Sequence, residues 1–229
     1  MIMTSTKLKI STITLTAKLP IADKLSLSNI KNVSNNNFKN QVSIRWECCK
    51  NGKNRNISIK IFESGKLQIT GVPDMNTFTD IYRYVCNECY EGIDIKELGD
   101  INYEWIKANS DLNIQMINSN INCGIALDLY AIQTILVQEY SILAMYNPLS
   151  YAAVNAKYKT VRNTTVTILI FSSGNFMITG SKNYHDLVDA DKFRHKFLVE
   201  NEDKIRLSNH RLDVVNKTDY NEIYHILTY

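Results

Sequence analysis

Hydrophobic and polar residues alternate along several short stretches of this chain and recur every three or four residues along others. Ile57-Ser-Ile-Lys-Ile-Phe62 alternates, and Val166-Thr-Ile-Leu-Ile-Phe171 does so with more apolar residues. Period two marks a strand with two distinct faces. Each run enters a glycine-centred turn, Glu63-Ser-Gly-Lys66 or Ser172-Ser-Gly-Asn175, and a second alternating run follows, Leu67-Gln-Ile-Thr70 or Phe176-Met-Ile-Thr179. Glycine supplies the positive φ that such a connection needs, so each unit reads as a β-hairpin. One face of the first hairpin carries Ile57, Ile59, Ile61, Leu67 and Ile69, and the second repeats it with Val166, Ile168, Ile170, Phe176 and Ile178. An aliphatic face of this kind suits burial under helices. The other face is mixed. It holds Ser58, Lys60, Phe62, Gln68 and Thr70 in one copy, and Thr167, Leu169, Phe171, Met177 and Thr179 in the other. A large aromatic kept among polar neighbours in both copies points to a binding face.

The two hairpins are copies of one unit. Phe62/Phe171, Ser64/Ser173, Gly65/Gly174, Ile69/Ile178, Thr70/Thr179 and Gly71/Gly180 match at an offset of 109 residues, close to half of the 229-residue chain. A repeat of this length implies two similar halves. Residues 7–15 read as a strand, and Pro20 opens a helical pattern that runs to Ile30. Val42–Trp46 is a strand with Val42, Ile44 and Trp46 on one face and Ser43 and Arg45 on the other. Residues 74–90 are helical, with Phe78, Ile81, Tyr82, Val85 and Cys89 at helical spacing. In the second half, residues 118–125 and 151–158 read as strands, and residues 127–140 and 184–200 as helices. Leu187, Val188, Phe193 and Phe197 face inward from the last of these. Each half is strand, helix, three strands, helix. The expected organisation is one domain over 1–229, with repeats at 7–92 and 114–204, a connector at 93–113 and a C-terminal extension at 205–229. Ile223, Ile226 and Leu227 suggest a short helix in that extension.

Composition narrows the classes. The chain is 45% hydrophobic and 21% charged, ample for a buried core. No apolar run reaches the roughly 20 residues that span a membrane, and the N-terminus has no secretory apolar core. Five cysteines, an odd number including the adjacent Cys48-Cys49, favour a reducing compartment over a disulfide framework. The net charge of +3 is mildly basic. Arg45, Lys50, Lys53, Arg55 and Lys60 cluster around one hairpin, and Lys157, Lys159 and Arg162 hold the equivalent place in the other half. Such clusters suit nucleic acid or two solvated loops equally. Cys86-x-x-Cys89 with Cys48-Cys49 hints at zinc. The first pair falls on a helical pattern, however, and adjacent cysteines in a strand point to opposite faces, so no metal and no cofactor are expected. Gly-x-Ser-x-Gly, P-loop and paired-carboxylate signatures are missing, so no enzyme is expected.

Several segments carry a family resemblance. Thr12-Ile-Thr-Leu-Thr-Ala-Lys-Leu19, Tyr146-Asn-Pro-Leu-Ser-Tyr-Ala-Ala-Val154, Leu169-Ile-Phe-Ser-Ser-Gly174 and Ile178-Thr-Gly-Ser-Lys182 occur in order with the appropriate elements between them. Over roughly residues 7–200 the chain resembles the TATA-box-binding protein (TBP) family, as a divergent member of the kind a large DNA virus of eukaryotes would carry. The resemblance implies an α+β fold: a two-repeat saddle whose curved antiparallel sheet has helices on its convex face. It implies a transcription initiation factor that binds and bends A/T-rich promoter DNA through the minor groove with aromatic wedges. Phe62 and Phe171 match the wedge of the third strand in each repeat, and Tyr151 matches the wedge at the start of strand two. In the first repeat an ungapped count puts Lys39 in that slot, and a one-residue bulge would put Phe38 there.

The groove-reading positions depart further from the family. Asn118 matches a family asparagine whose place in the first half is taken by Leu8. Thr70 and Thr179 match a threonine pair. Ile10, Asn120, Gln68 and Met177 replace valines, and Leu169 shares their face. Minor-groove readout mainly separates A·T from G·C by one amino group, so Gln68 and Asn120 open the way to a G. Arg45 and Lys157 match a phosphate-contacting position. Implied partners are double-stranded promoter DNA, general transcription factors of the IIB or IIA type and the RNA polymerase machinery. Asn147-Pro-Leu-Ser150 lacks the acidic residue that the family uses towards factor IIB. The implied location is the nucleus or a cytoplasmic viral factory. The alternative is a protein-interaction module of the same fold that has lost most DNA binding, as Lys60, Gln68 and Leu8 on the binding face would suggest. An enzyme using the saddle as an accessory domain has too few residues left here for a catalytic domain.

Overall fold

Both hairpins form as the alternation predicts. In the computed structural model, which describes residues 7–21, 23–34, 39–50, 52–89, 100–207 and 218–228, β3 (Lys53–Phe62) turns back into β4 (Lys66–Val72), and β8 (Thr165–Phe171) into β9 (Asn175–Ser181). All ten aliphatic-face residues are buried, none more than 2% exposed. Gly65 and Gly174 sit in the turns at φ 77° and 80°. A Cβ on Gly174 would lie 2.2 Å from the Ile125 carbonyl oxygen, so close approach as well as φ requires glycine there.

The chain divides into two compact units, Thr12–Gln115 with Ile226–Tyr229, and Met1–Ser11 with Met116–His225. In the first unit β4 pairs antiparallel with β3 and β1 (Lys9–Lys18), and β3 with β2 (Gln41–Lys50). Helix α1 (Met75–Tyr84) starts at Asp74, whose carboxylate accepts the Thr77 N–H. It buries Phe78, Ile81 and Tyr82 against the aliphatic face and widens into a π-type turn at Val85–Cys89. Tyr82 donates to the Lys18 carbonyl at 2.7 Å. A short helix, α2 (Tyr103–Asn109), follows in the connector.

In the second unit β5 (Asn113–Asn122) pairs with β9, β9 with β8, β8 with β7 (Tyr151–Lys159), and β7 with β6 (Leu143–Asn147). Helix α3 (Leu129–Gln138) packs on β6 and β7, and α4 (Tyr184–Ile205) on β8 and β9. Phe193 stacks on Tyr158 at 4.4 Å rather than entering the core. Burial and the Asp189 carboxylate push the Tyr158 phenol up to about 12. The C-terminal α5 (Tyr220–Thr228) docks through buried Ile223 and Leu227, and Tyr220 donates to Asp191 at 2.9 Å.

Three expectations are corrected. The saddle with a curved sheet is not found. The α+β architecture holds, but the nine antiparallel strands follow the open order β2-β3-β4-β1-β5-β9-β8-β7-β6 and the sheet is neither closed nor strongly curled. Closure demands accumulated stagger and tilt. Register slips at Ile13/Thr14, Ile117/Ser119 and Met145/Asn147, and among the described residues no pairing joins β2 to β6. The helix expected from Pro20 is instead extended chain with one 3₁₀ turn at Leu27–Asn29, whose preceding Ser26 makes no side-chain cap. The second half has an additional strand, β6, which the alternation did not reveal.

Candidate nucleic-acid interface

The face of the sheet opposite the helices can be laid out in cross-strand rows, because directly paired residues in an antiparallel ladder share a face. In the first unit one row is Arg45, Ser58, Thr70 and Thr14, and the next is Ser43, Lys60, Gln68 and Thr16. A third row runs Gln41, Phe62, Lys66 and Lys18, with Phe62 and Lys66 flanking the turn. Thus four cations and no carboxylate occupy these rows. In the second unit Leu143, Lys157 and Thr167 are followed by Thr179, and Met145, Asn155, Leu169, Met177 and Asn120 form the next row. The last holds Ala153, Phe171, Asn175 and Asn122. This half is the more apolar, and Lys157 is its lone cation among these positions.

Most of the expected binding residues lie on this face. Phe62, Phe171, Gln68, Leu169, Met177, Asn118, Thr179 and Lys157 are half-buried, and Thr70, Asn120, Arg45 and Tyr151 are exposed. Tyr151 and Phe171 meet edge-on, ring centroids 6.3 Å apart. Thr179 donates to the Asn118 side-chain oxygen at 2.5 Å, which joins two of the expected groove readers. Lys157 donates to Thr167 at 2.7 Å, which draws its ammonium over the face. Phe38 lies outside the described residues, as do the side chains of Lys50, Lys53 and Cys89.

The register revises the first strand. Thr14 faces Thr70 and Leu15 faces Ile69, just as Ser119 faces Ile178. Thr14 therefore stands where Asn118 does, and Thr16 where Asn120 does. Leu8 and Ile10 were expected there. Both are instead buried, at 1% and 9% exposure. Leu8 N–H donates to Thr218 Oγ1 at 3.0 Å, and Lys7 pairs with Glu222 beside it. The missed signal was spacing: the hairpins are 109 residues apart, but the first strands are 104 apart, so a uniform offset misplaces the strand.

Among the described residues no group of three or more His, Cys, Asp or Glu side chains could hold a metal ion. Cys48 and Cys49 lie in β2 opposite Arg55 and Asn54, and Cys86 is buried under the sheet. No described helix is long and apolar enough to cross a membrane.

Residues 111–200 match the family model described as "Transcription factor TFIID (or TATA-binding protein, TBP)". The chain is 30% identical over 195 residues to a "TATA-box-binding protein-like" protein of Acanthamoeba polyphaga mimivirus, an alignment covering 77% of this chain and 52% of that protein. The chain thus spans about half the length of the curated relative it matches. Among solved structures it is similar to Methanococcus jannaschii TBP, with a TM-score of 0.53, 21% identity, and coverage of 86% of this chain and 99% of that one. That likeness concerns the fold. The sequence matches therefore show a distant likeness to TBP-family proteins, over residues 111–200 for the family model and over 195 residues for the viral relative.

Proposed function

We propose that this chain is a TBP-like initiation factor that binds A/T-rich duplex DNA in the minor groove and bends it with aromatic wedges on the open face of its sheet. The observation that carries the reading is the Tyr151–Phe171 ring pair, set on that face at the position whose repeat counterpart is Phe62. Aromatic wedges work by entering between base steps and unstacking them. A Tyr in this role keeps its hydroxyl hydrogen-bonded or wet, which half-exposure permits. Thr70, Thr179 and Met177 press on the groove floor, where a guanine amino group would clash, and favour A·T. Gln68 and Asn120 relax this preference by offering partners to that amino group. Arg45 and Lys157 hold the phosphates. The accompanying partners are general transcription factors and an RNA polymerase, in the nucleus or a viral factory. Fluorescence anisotropy on a short A/T-rich duplex tests the reading: Phe62→Ala with Phe171→Ala should weaken binding at least tenfold in a folded protein.

A second reading, a protein-interaction module, draws on Leu143 and Met145, which are 63% and 58% exposed on the edge strand β6. Leu8, being buried, lends it no support. A folded protein that shows no duplex affinity at low salt would favour this reading.

A further inference from the structure

Two polar side chains occupy the middle of the first unit's open face. Lys60 on β3 and Gln68 on β4 are directly paired, so they project side by side from that face. Both are half-buried, and neither has a hydrogen-bond or ion-pair partner among the described residues. Their row ends in the short side chains of Ser43 and Thr16, which leave the longer pair standing clear. Thr16 Oγ1 accepts from Gln115 at 2.9 Å, so it is engaged within the protein, whereas the Gln68 amide is not.

The repeat supplies an internal control. Ser43, Lys60, Gln68 and Thr16 correspond to Asn155, Leu169, Met177 and Asn120, whose central pair is again directly opposed. One repeat therefore presents an ammonium and an amide where the other presents two apolar side chains. An apolar pair can be pressed on a groove floor without finding partners. A polar pair cannot, because each desolvated donor or acceptor left unmatched costs free energy. In the minor groove an A·T pair offers acceptors alone, and the guanine N2 amino group is the one base donor. The Gln68 oxygen is thus satisfied over G·C and unmatched over A·T. Its Nε2 can donate to guanine N3 at the same time. The Lys60 ammonium, which only donates, suits the cytosine O2 beside it.

We propose that Lys60 and Gln68 read a single G·C pair, while the Leu169–Met177 pair at the matching place takes A·T. This rests on the minor-groove reading above. It makes the preferred element A/T-rich with one guanine in the half that the first unit covers. Because the two repeats ask for different bases, the base sequence orients the protein on its site.

The test uses the whole chain, and its first arm needs no variant. Anisotropy competition compares a self-complementary A/T-rich duplex with versions carrying G·C at one position in turn. At one position G·C should tighten binding about five- to tenfold, the worth of one matched hydrogen-bonding edge. Inosine·C there, which lacks only the amino group, should lose that gain. G·C at both symmetry-related positions should bind more weakly than at one, since the apolar pair then meets an amino group. In the second arm Q68M and K60L put the second repeat's residues into the first. Q68M should reverse the order, with inosine·C the tighter. K60L should weaken both duplexes equally and keep the difference between them. A wild type that binds the A/T-rich parent but is weakened by G·C at every position would overturn the reader and leave the minor-groove reading standing. A gain that survives inosine would overturn the role of Gln68, and a K60L that changes neither duplex would overturn that of Lys60. A folded wild type that binds no duplex at low salt, but binds polyglutamate through Lys60, would refute the DNA reading itself in favour of an acidic protein partner.

Discussion

Asp191 and Arg194, one turn apart on α4, are both wholly buried, and Arg194 Nε donates to Asp191 Oδ1 at 2.7 Å. The other Asp191 oxygen accepts the Tyr220 hydroxyl, while both Arg194 Nη atoms are buried without a hydrogen-bond partner among the described residues. The Phe176 ring lies 5.9 Å from the guanidinium and offers only weak compensation. Asp191→Asn removes the counter-charge and leaves the guanidinium with no anion, a change that costs about 3–5 kcal/mol. Arg194→Met leaves the carboxylate with the Tyr220 hydrogen bond, so it falls at the lower end of about 3–5 kcal/mol. Against a typical domain stability of about 5–15 kcal/mol, either change brings the chain close to unfolding. Replacing both residues, Asp191→Leu with Arg194→Met, removes the desolvation penalty together with the attraction. The double variant should be neutral or up to about 4 kcal/mol more stable than wild type. Urea unfolding at fixed pH reads each as a shift in midpoint at constant slope. Single variants costing under about 1 kcal/mol, or a double variant worse than the sum of the singles, would refute this account of a poorly compensated pair.

Other outcomes follow from the same structure. The Tyr158 phenol, raised from 10 to about 12, contributes stability that is complete below pH 10 and lost as pH rises through about 12, so Tyr158→Phe should flatten that alkaline limb in a pH series of urea midpoints. Burial lowers the His195 pKa, so its contribution is present above the ordinary histidine range and lost as pH falls through the folded value; His195→Gln should reduce acid sensitivity in the same series. Gly174→Ala puts a Cβ against the Ile125 carbonyl and should destabilise more than Gly180→Ala, which meets nothing within 4 Å and incurs only the left-handed cost of about 1–2 kcal/mol, as thermal melts would show. Arg45→Gln and Lys157→Gln should each lower the salt slope of duplex binding by about 0.9.

The two hairpins were legible because β-branched alternation and a repeated glycine turn act locally and specify both face and register. Helix α4 was equally legible from Leu187, Val188 and Phe197, but the burial of Asp191 and Arg194 was not, since apolar periodicity carries no signal for a buried ion pair. The Pro20–Ile30 segment shows the opposite failure. Its apolar spacing is helical, yet its serines and asparagines compete for the backbone, and it buries Leu25 and Ile30 as extended chain. β6 was missed because five residues, Leu143–Asn147, give too short an alternation. α2 was missed because Ile106 is its one buried residue, and its Asn102 cap, accepting the Trp105 N–H, is its main local signal. The Thr14 and Thr16 positions depend on strand register, which a uniform repeat offset cannot supply when the two halves differ in length before the hairpin.

The central claim is that the open face bends DNA with aromatic side chains. The measurement that tests it most directly is fluorescence energy transfer between the ends of a short A/T-rich duplex at two salt concentrations, comparing wild type with Phe62→Ala plus Phe171→Ala. The account predicts end-to-end shortening on binding by wild type, with that shortening lost in the folded double variant. A wild type that binds without shortening the duplex, or a double variant that bends it equally well, would contradict it.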